Sequence, residues 1–225
     1  MKQQLKPMKG GGIMSSRTMI LEKLKAAGRP GRINREIMPP VETRPGDVEV
    51  FVQKAAAAAA QVIRTNAAEV PQAVRETLTE LGCKTLLLSD EEIIKEYFPP
   101  AAAEEMGIEA GYVSELPADE YRRSIFRTDA GMSGCDYALA DSGTIVIRHD
   151  GDNQRLLSLA PDYYIALVKT SQMLKDRFDL AGILEKEKTA AVTLITGVSR
   201  TADVALQVVL GMHGPRKVYI ILIED

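Results

Sequence analysis

The chain is poor in the residues that bind redox groups. It holds two cysteines, Cys83 and Cys135, two histidines and no tryptophan. An iron–sulfur cluster normally takes four thiolates, so no such cluster is expected within this chain. A structural zinc site built from cysteines alone takes four as well. An excess of positive charge is also missing. Lys+Arg number 28 against Asp+Glu 31, a formal charge of −3, which argues against a general nucleic-acid binder. No stretch approaches the roughly 20 apolar residues that cross a bilayer. The longest small-residue run, 55–60, is all alanine and is flanked by Lys54 and Gln61. Lys2, Lys6 and Lys9 have no apolar segment behind them, so residues 1–12 do not read as a signal peptide. A cytoplasmic protein with reduced thiols is the expectation.

What is present suits a folded domain. The 225 residues (24.6 kDa) are 45% hydrophobic and 26% charged, ordinary globular values. That length suffices for one large domain or two small ones. Residues 1–13 contain Gly10-Gly11-Gly12, which has neither a preceding strand nor the Gly-Lys-Ser/Thr of a phosphate loop. Ser15 or Ser16 is placed to cap a helix over 17–27, and the Pro- and Gly-rich stretch 28–46 reads as a linker or arm. This divides the chain into an extension, 1–46, and a main domain, 47–225.

Asp47 is positioned to cap a helix expected over 47–65, where the alanine run has high helix propensity. Beyond it, helix and strand alternate. Residues 69–81 read as a helix stopped by Gly82, and 84–88 as a strand. A helix from Ser89-Asp90-Glu91-Glu92 runs to Tyr97, and another covers 119–127. Strands follow at 137–139, 143–147, 163–168, 189–195 and 217–223, with a short helix from Ser171 and a longer one over 200–210. The strands at 137–147 read as a local antiparallel pair. Runs such as TLLL, TIVI, YYIALV, AVTLI and VYIILI lack polar alternates, as a sheet buried on both faces requires. An α/β fold with a largely parallel central sheet flanked by helices follows.

In open α/β sheets, ligands bind beyond the carboxyl ends of strands, and three segments are expected there. The first is Thr196-Gly197-Val198-Ser199-Arg200-Thr201-Ala202-Asp203, read as a strand-to-helix turn. Its free amides and the Arg200 guanidinium suit a phosphate or carboxylate. Equally, Ser199 and Thr201 are caps and Asp203 is a first-turn acid. The second is Asp141-Ser142-Gly143-Thr144, where an acid can act as a general base or bind a hydroxyl, or where the residues simply make a turn. The third is His213-Gly214-Pro215-Arg216, with His213 as an acid–base candidate or a turn residue. Arg155 is a further cation, ahead of the strand at 163–168. His149-Asp150-Gly151-Asp152-Asn153 reads as a turn and not a metal loop. Cys83 and Cys135 read as inert packing thiols.

The segments ADSGT, RLLSLAPDYYIALV, TGVSRTAD and GMHGPRKVYIILIED, in that order, resemble the lactate utilisation protein C family (LutC, also YkgG), which carries the LUD domain. The likeness covers roughly residues 70–225. Val198 stands where the family pattern has proline, and Asp141 where it has glutamate. The resemblance implies a NagB/RpiA/CoA-transferase-like fold and a role in oxidising L-lactate to pyruvate beside LutA-like and LutB-like iron–sulfur proteins. It implies no redox cofactor in this chain, with the clusters on the partners. A site for a small carboxylate or phosphate would then use Asp141 and His213 as acid–base groups. Ser142, Gly143, Thr144, Arg155, Thr196, Gly197, Ser199, Arg200, Thr201 and Asp203 would contact the ligand, with no metal. A non-catalytic assembly subunit, or a stand-alone enzyme on sugar phosphates or CoA esters, are the alternatives.

Overall fold

Lys23 and Lys25, in the last turn of the helix Ser16–Ala26 (α1), suit the negative end of its dipole. The computed structural model describes residues 16–26, 44–149, 154–186, 191–202 and 208–225. Helix α1 belongs to a unit ending at Pro40, and the main unit runs from Val41 to Asp225.

Asp47 caps Val48–Ala57 (α2), accepting from the amides of Glu49 and Val50 at 2.9 and 3.1 Å. The helix expected to run to residue 65 stops at Ala57. Ala59 takes φ 63°, and Gln61–Asn66 is a strand (β1). The alanine run gave no signal to stop, and β1 is decided by pairing: Gln61 to Asn66 lie parallel to Tyr219 to Glu224. Val70–Leu81 (α3) ends at Gly82, whose φ of 65° is the left-handed turn that terminates a helix. Thr85–Leu88 (β2), Glu92–Tyr97 (α4), Pro100–Glu104 (α5), Glu109–Tyr112 (β3), Ala118–Ile125 (α6) and Ala130–Ser133 (β4) follow. The helix expected from Ser89 begins at Glu92. Tyr137–Leu139 (β5) and Thr144–Arg148 (β6) pair antiparallel, as expected. Tyr163–Lys169 (β7), Met173–Leu174 (β8), Arg177–Leu184 (α7) and Val192–Ile195 (β9) come next. Ser171 lies in a 3-10 turn, Thr170–Gln172.

Where a helix is expected over 200–210, the described residues at both ends are strands, and residues 203–207 lie outside the described residues. Arg200–Ala202 (β10) and Val208–Leu210 (β11) pair antiparallel, with Arg200 opposite Leu210. Lys217–Glu224 (β12) closes the chain.

Six strands form an all-parallel sheet in the order β1-β12-β7-β4-β2-β3. Strand β12 shows why its sequence has no polar alternate. Tyr219, Ile221 and Ile223 pack on one face, with Val74, Leu78, Ile94 and Phe98 of α3, α4 and the turn after it. Val218, Ile220 and Leu222 pack on the other, with Phe51 and Ala55 of α2 and with Ala138, Ile145 and Ile195. Those last three belong to a second sheet, β8-β5-β6-β9. TIVI and AVTLI therefore lie outside the parallel sheet. They are apolar because this second layer is covered too: Leu139 and Val146 meet Leu174 and Leu180 on its far side.

The end of the arm is fixed to this layer. Gly46 donates its amide to the Met173 carbonyl at 3.0 Å, and Pro45 bridges to Leu174. The Arg44 guanidinium reaches Asp176 at 2.9 Å and the fully buried Asp179 at 3.3 Å.

Candidate functional site

The register of the second sheet brings two of the expected segments together. Ile145 pairs with Ile195, so Thr144 and Thr196 fall side by side at the strand ends. Their hydroxyls are 2.7 Å apart. Thr144 donates to Ser142 Oγ at 2.9 Å, and Ser142 donates to Asp141 Oδ1 at 2.9 Å. A line of oxygens thus runs from Thr196 to the exposed Asp141 carboxylate.

Both turns press on the end of α2. Gly143, at φ 65°, has space for no side chain, since a Cβ there would lie 2.1 Å from the Ala55 amide nitrogen. Gly197, at φ 68°, is closer still, with a Cβ position 1.9 Å from the Ala58 carbonyl oxygen. The alanine run serves this contact. Ala55 is fully buried, and the Ala58 carbonyl accepts the Val198 amide at 3.3 Å. Small residues on both sides let backbone meet backbone.

The third segment joins them. The Ser199 amide donates to the Pro215 carbonyl at 3.2 Å, and the Gly211 amide to the Ser199 carbonyl at 3.0 Å. Arg216 donates its amide to Asp162 at 2.8 Å. Ala58, Pro215 and Asp162 precede β1, β12 and β7. The whole cluster therefore sits at the amino-terminal edge of the parallel sheet, not beyond its carboxyl ends as expected. Arg200–Ala202 is a strand, so no helix begins at the turn after β9, and the amides of Val198 and Ser199 are already used. An anion here would rely on side chains.

Thr144, Gly143 and Gly197 are buried and build the platform. Ser142, Ser199 and Thr201 are half-buried. Asp141, Thr196, Arg200 and His213 are exposed at its rim. Arg200 has no ion-pair partner among the described residues. Asp203 lies outside the described residues. Arg155 is exposed on the 3-10 turn Gln154–Ser158, which packs through Leu157 on β4 and α6, and among the described residues no hydrogen bond joins it to the paired turns. His149 is buried, 2.8 Å from Thr193 Oγ1 through Nε2, and residues 150–153 lie outside the described residues. Both cysteines are buried and unpaired. Burial, then the Asp129 charge, pushes the Cys83 thiol up to about 11. Burial, then Glu91 and Asp136, pushes Cys135 well above the usual thiol range. Neither is a ready thiolate.

The carboxyl ends hold groups that sequence reasoning passed over. Ser89 and Glu91 follow β2, while Ser133 ends β4 and Gly134 follows it. Glu91 Oε2 accepts from the Gly134 amide at 2.7 Å and from the Ser89 hydroxyl. Ser133 Oγ lies 2.6 Å from the buried Tyr164 hydroxyl. Burial raises the Glu91 carboxyl, the hydrogen bonds from Ser89 and Gly134 oppose it, and Asp136 adds to the rise. The signal available was an acid three residues after the apolar run TLLL, although Glu91 also reads as a residue of the following helix.

A family model described as the LUD domain matches residues 42–223. Lactate utilization protein C of Oceanobacillus iheyensis is 30% identical over 176 residues, 72% of this chain and 73% of that protein. Lactate utilization protein C of Bacillus subtilis is 27% identical over 175 residues, 73% of each. The crystal structure of a DUF162 family protein from Deinococcus radiodurans shares the fold, at 23% identity and a TM-score of 0.54, covering 78% of this chain and 94% of that one. Among the described residues, no helix is long and apolar enough to cross a membrane.

Proposed function

We propose a role in lactate utilisation, and the premise is that the chain belongs to the LUD domain family. The observation that carries the role is the 30% identity to a lactate utilization protein C across most of both chains. Within that role the chain acts as one subunit beside LutA-like and LutB-like iron–sulfur proteins. Oxidising lactate to pyruvate releases two electrons. Two cysteines, both buried as thiols, do not supply the four thiolates that a cluster normally takes. The electrons then pass to clusters on the partners.

The rim of the paired turns is the anion-binding part of this reading. Arg200 offers a planar fork that matches a carboxylate or phosphate. Asp141 and His213 are the acid–base groups of the same rim, and the hydrogen bond between the buried Thr144 and the exposed Thr196 ties the two turns together. The experiment is lactate-dependent dye reduction by the reconstituted complex. Arg200→Ala and Asp141→Ala are each expected to lower kcat/KM by about tenfold or more, as loss of a charge-assisted hydrogen bond requires. Wild-type rates in both variants would remove the rim from the mechanism.

A further inference from the structure

The strand order places a crevice that the paired turns do not use. From β2 the chain moves outward to the edge strand β3. It then returns across β2 to β4 and continues the other way to β7 and β12. The direction of winding reverses between the neighbours β2 and β4. The segments after them also part to opposite faces: α4 packs with Leu88 and Phe98 on one side, and β5 leads into the second sheet on the other. In open α/β sheets, such a reversal opens a crevice at the carboxyl ends where ligands bind.

Glu91 bridges this reversal. It follows β2, and its Oε2 is held by the Gly134 amide, which follows β4, and by Ser89. Its other oxygen, Oε1, has no hydrogen-bond partner among the described residues and lies 3.3 Å from where a Gly134 side chain would begin. A side chain at Gly134 would also come within 2.7 Å of Ile93 Cγ2, so Gly134 keeps the approach close. Ser133, Tyr164 and the buried Cys135 complete the surroundings. An ionised carboxylate only accepts hydrogen bonds. With Oε2 saturated and no basic side chain bonded to Glu91, the group that fits Oε1 is a hydroxyl or N–H donor.

We propose that this crevice is a second small-ligand site, separate from the rim, in which Glu91 Oε1 accepts the hydroxyl of a hydroxy acid. The preference for a hydrogen-bond donor stands on the crevice, and the choice of a hydroxyl, on a hydroxy acid, rests on the lactate role. Lys169 ends β7 at the same edge, with Nζ 5.9 Å from the Tyr97 ring centre, and is a cation for the ligand's carboxylate.

The test uses the full chain, labelled with nitrogen-15 and titrated with L-lactate and with pyruvate, which lacks the hydroxyl. L-lactate is expected to move the amide signals of Glu91, Gly134 and Cys135 and to bind more tightly than pyruvate. Glu91→Gln keeps the shape. Its carbonyl oxygen can take the Ser89 and Gly134 donors, which turns its NH2 toward the ligand. The preference for lactate over pyruvate is then expected to fall about tenfold. The wild-type shift map stands without the variant, should Glu91→Gln melt early. Lactate shifts confined to residues 196–201, no shifts at all, or an unchanged preference in Glu91→Gln would each overturn the site. The two readings fail separately. A complex that reduces dye with lactate while the crevice signals stay still overturns the site and leaves the role. A crevice that binds lactate in a complex without turnover does the reverse.

Discussion

Gly197→Ala is expected to lower the melting temperature by about 10 °C, measured by calorimetry or circular dichroism. Two costs combine. The position has φ 68°, and an L side chain in left-handed backbone costs roughly 1–2 kcal/mol. The new Cβ would also lie 1.9 Å from the Ala58 carbonyl oxygen, and forced overpacking costs about 1–3 kcal/mol. The obstacle is backbone, so no flexible side chain can move aside. A total of about 3–4 kcal/mol corresponds to roughly 10 °C at about 2–4 °C per kcal/mol for a chain of this size. Gly143→Ala meets the Ala55 amide nitrogen at 2.1 Å and should behave alike. The two turns share α2, so the double variant should lose less than the sum. A Gly197→Ala protein that melts like the wild type would show that the turn does not press on α2.

Tyr164→Ala is expected to cost about 4 kcal/mol, as large-to-small changes in an aromatic core do, and Tyr164→Phe about 1 kcal/mol. The ring is fully buried between the parallel sheet and the second layer, beside Ala138 and Cys135. Its hydroxyl meets Ser133 Oγ at 2.6 Å, and burial pushes its pKa far up, so it stays a neutral phenol. Ser133 also donates to the Gly134 carbonyl, which limits the loss when only the hydroxyl is removed. Chemical denaturation of both variants separates ring packing from the hydrogen bond. A Tyr164→Phe variant as damaged as Tyr164→Ala would mean that the hydroxyl, not the ring, organises this layer.

Much of the fold was legible because burial on both faces writes itself into the strand sequence. The runs YYIALV and VYIILI have one reading, and β7 and β12 are neighbouring interior strands of the sheet. Asp47 as a cap and Gly82 as a stop are local chemistry, and both were visible in the residues. What escaped was decided by contacts far away in sequence. Residues 200–202 and 208–210 carry no local signal against a helix as strong as the pairing of Arg200 with Leu210 that makes them strands. Likewise, β1 looks like the continuation of an alanine-rich helix until β12 pairs with it. Strand β4, Ala130–Ser133, is too short and too rich in small residues to show a period. The register of β6 and β9 brings the ADSGT and TGVS segments together. Their place at the amino-terminal edge was not legible, because it depends on which sheet β6 and β9 join. Glu91 was hidden for the same reason: only the strand order makes the end of β2 a point of reversal.

The central claim is that this chain is a required subunit of a lactate-oxidising system. The most direct measurement is dye reduction by the iron–sulfur partners with L-lactate, with and without this chain. Reduction that appears only when the chain is added, at a stoichiometric ratio and with pyruvate as product, is the predicted result. Equal rates with and without it, or no lactate-dependent reduction from the complete set, would contradict the account.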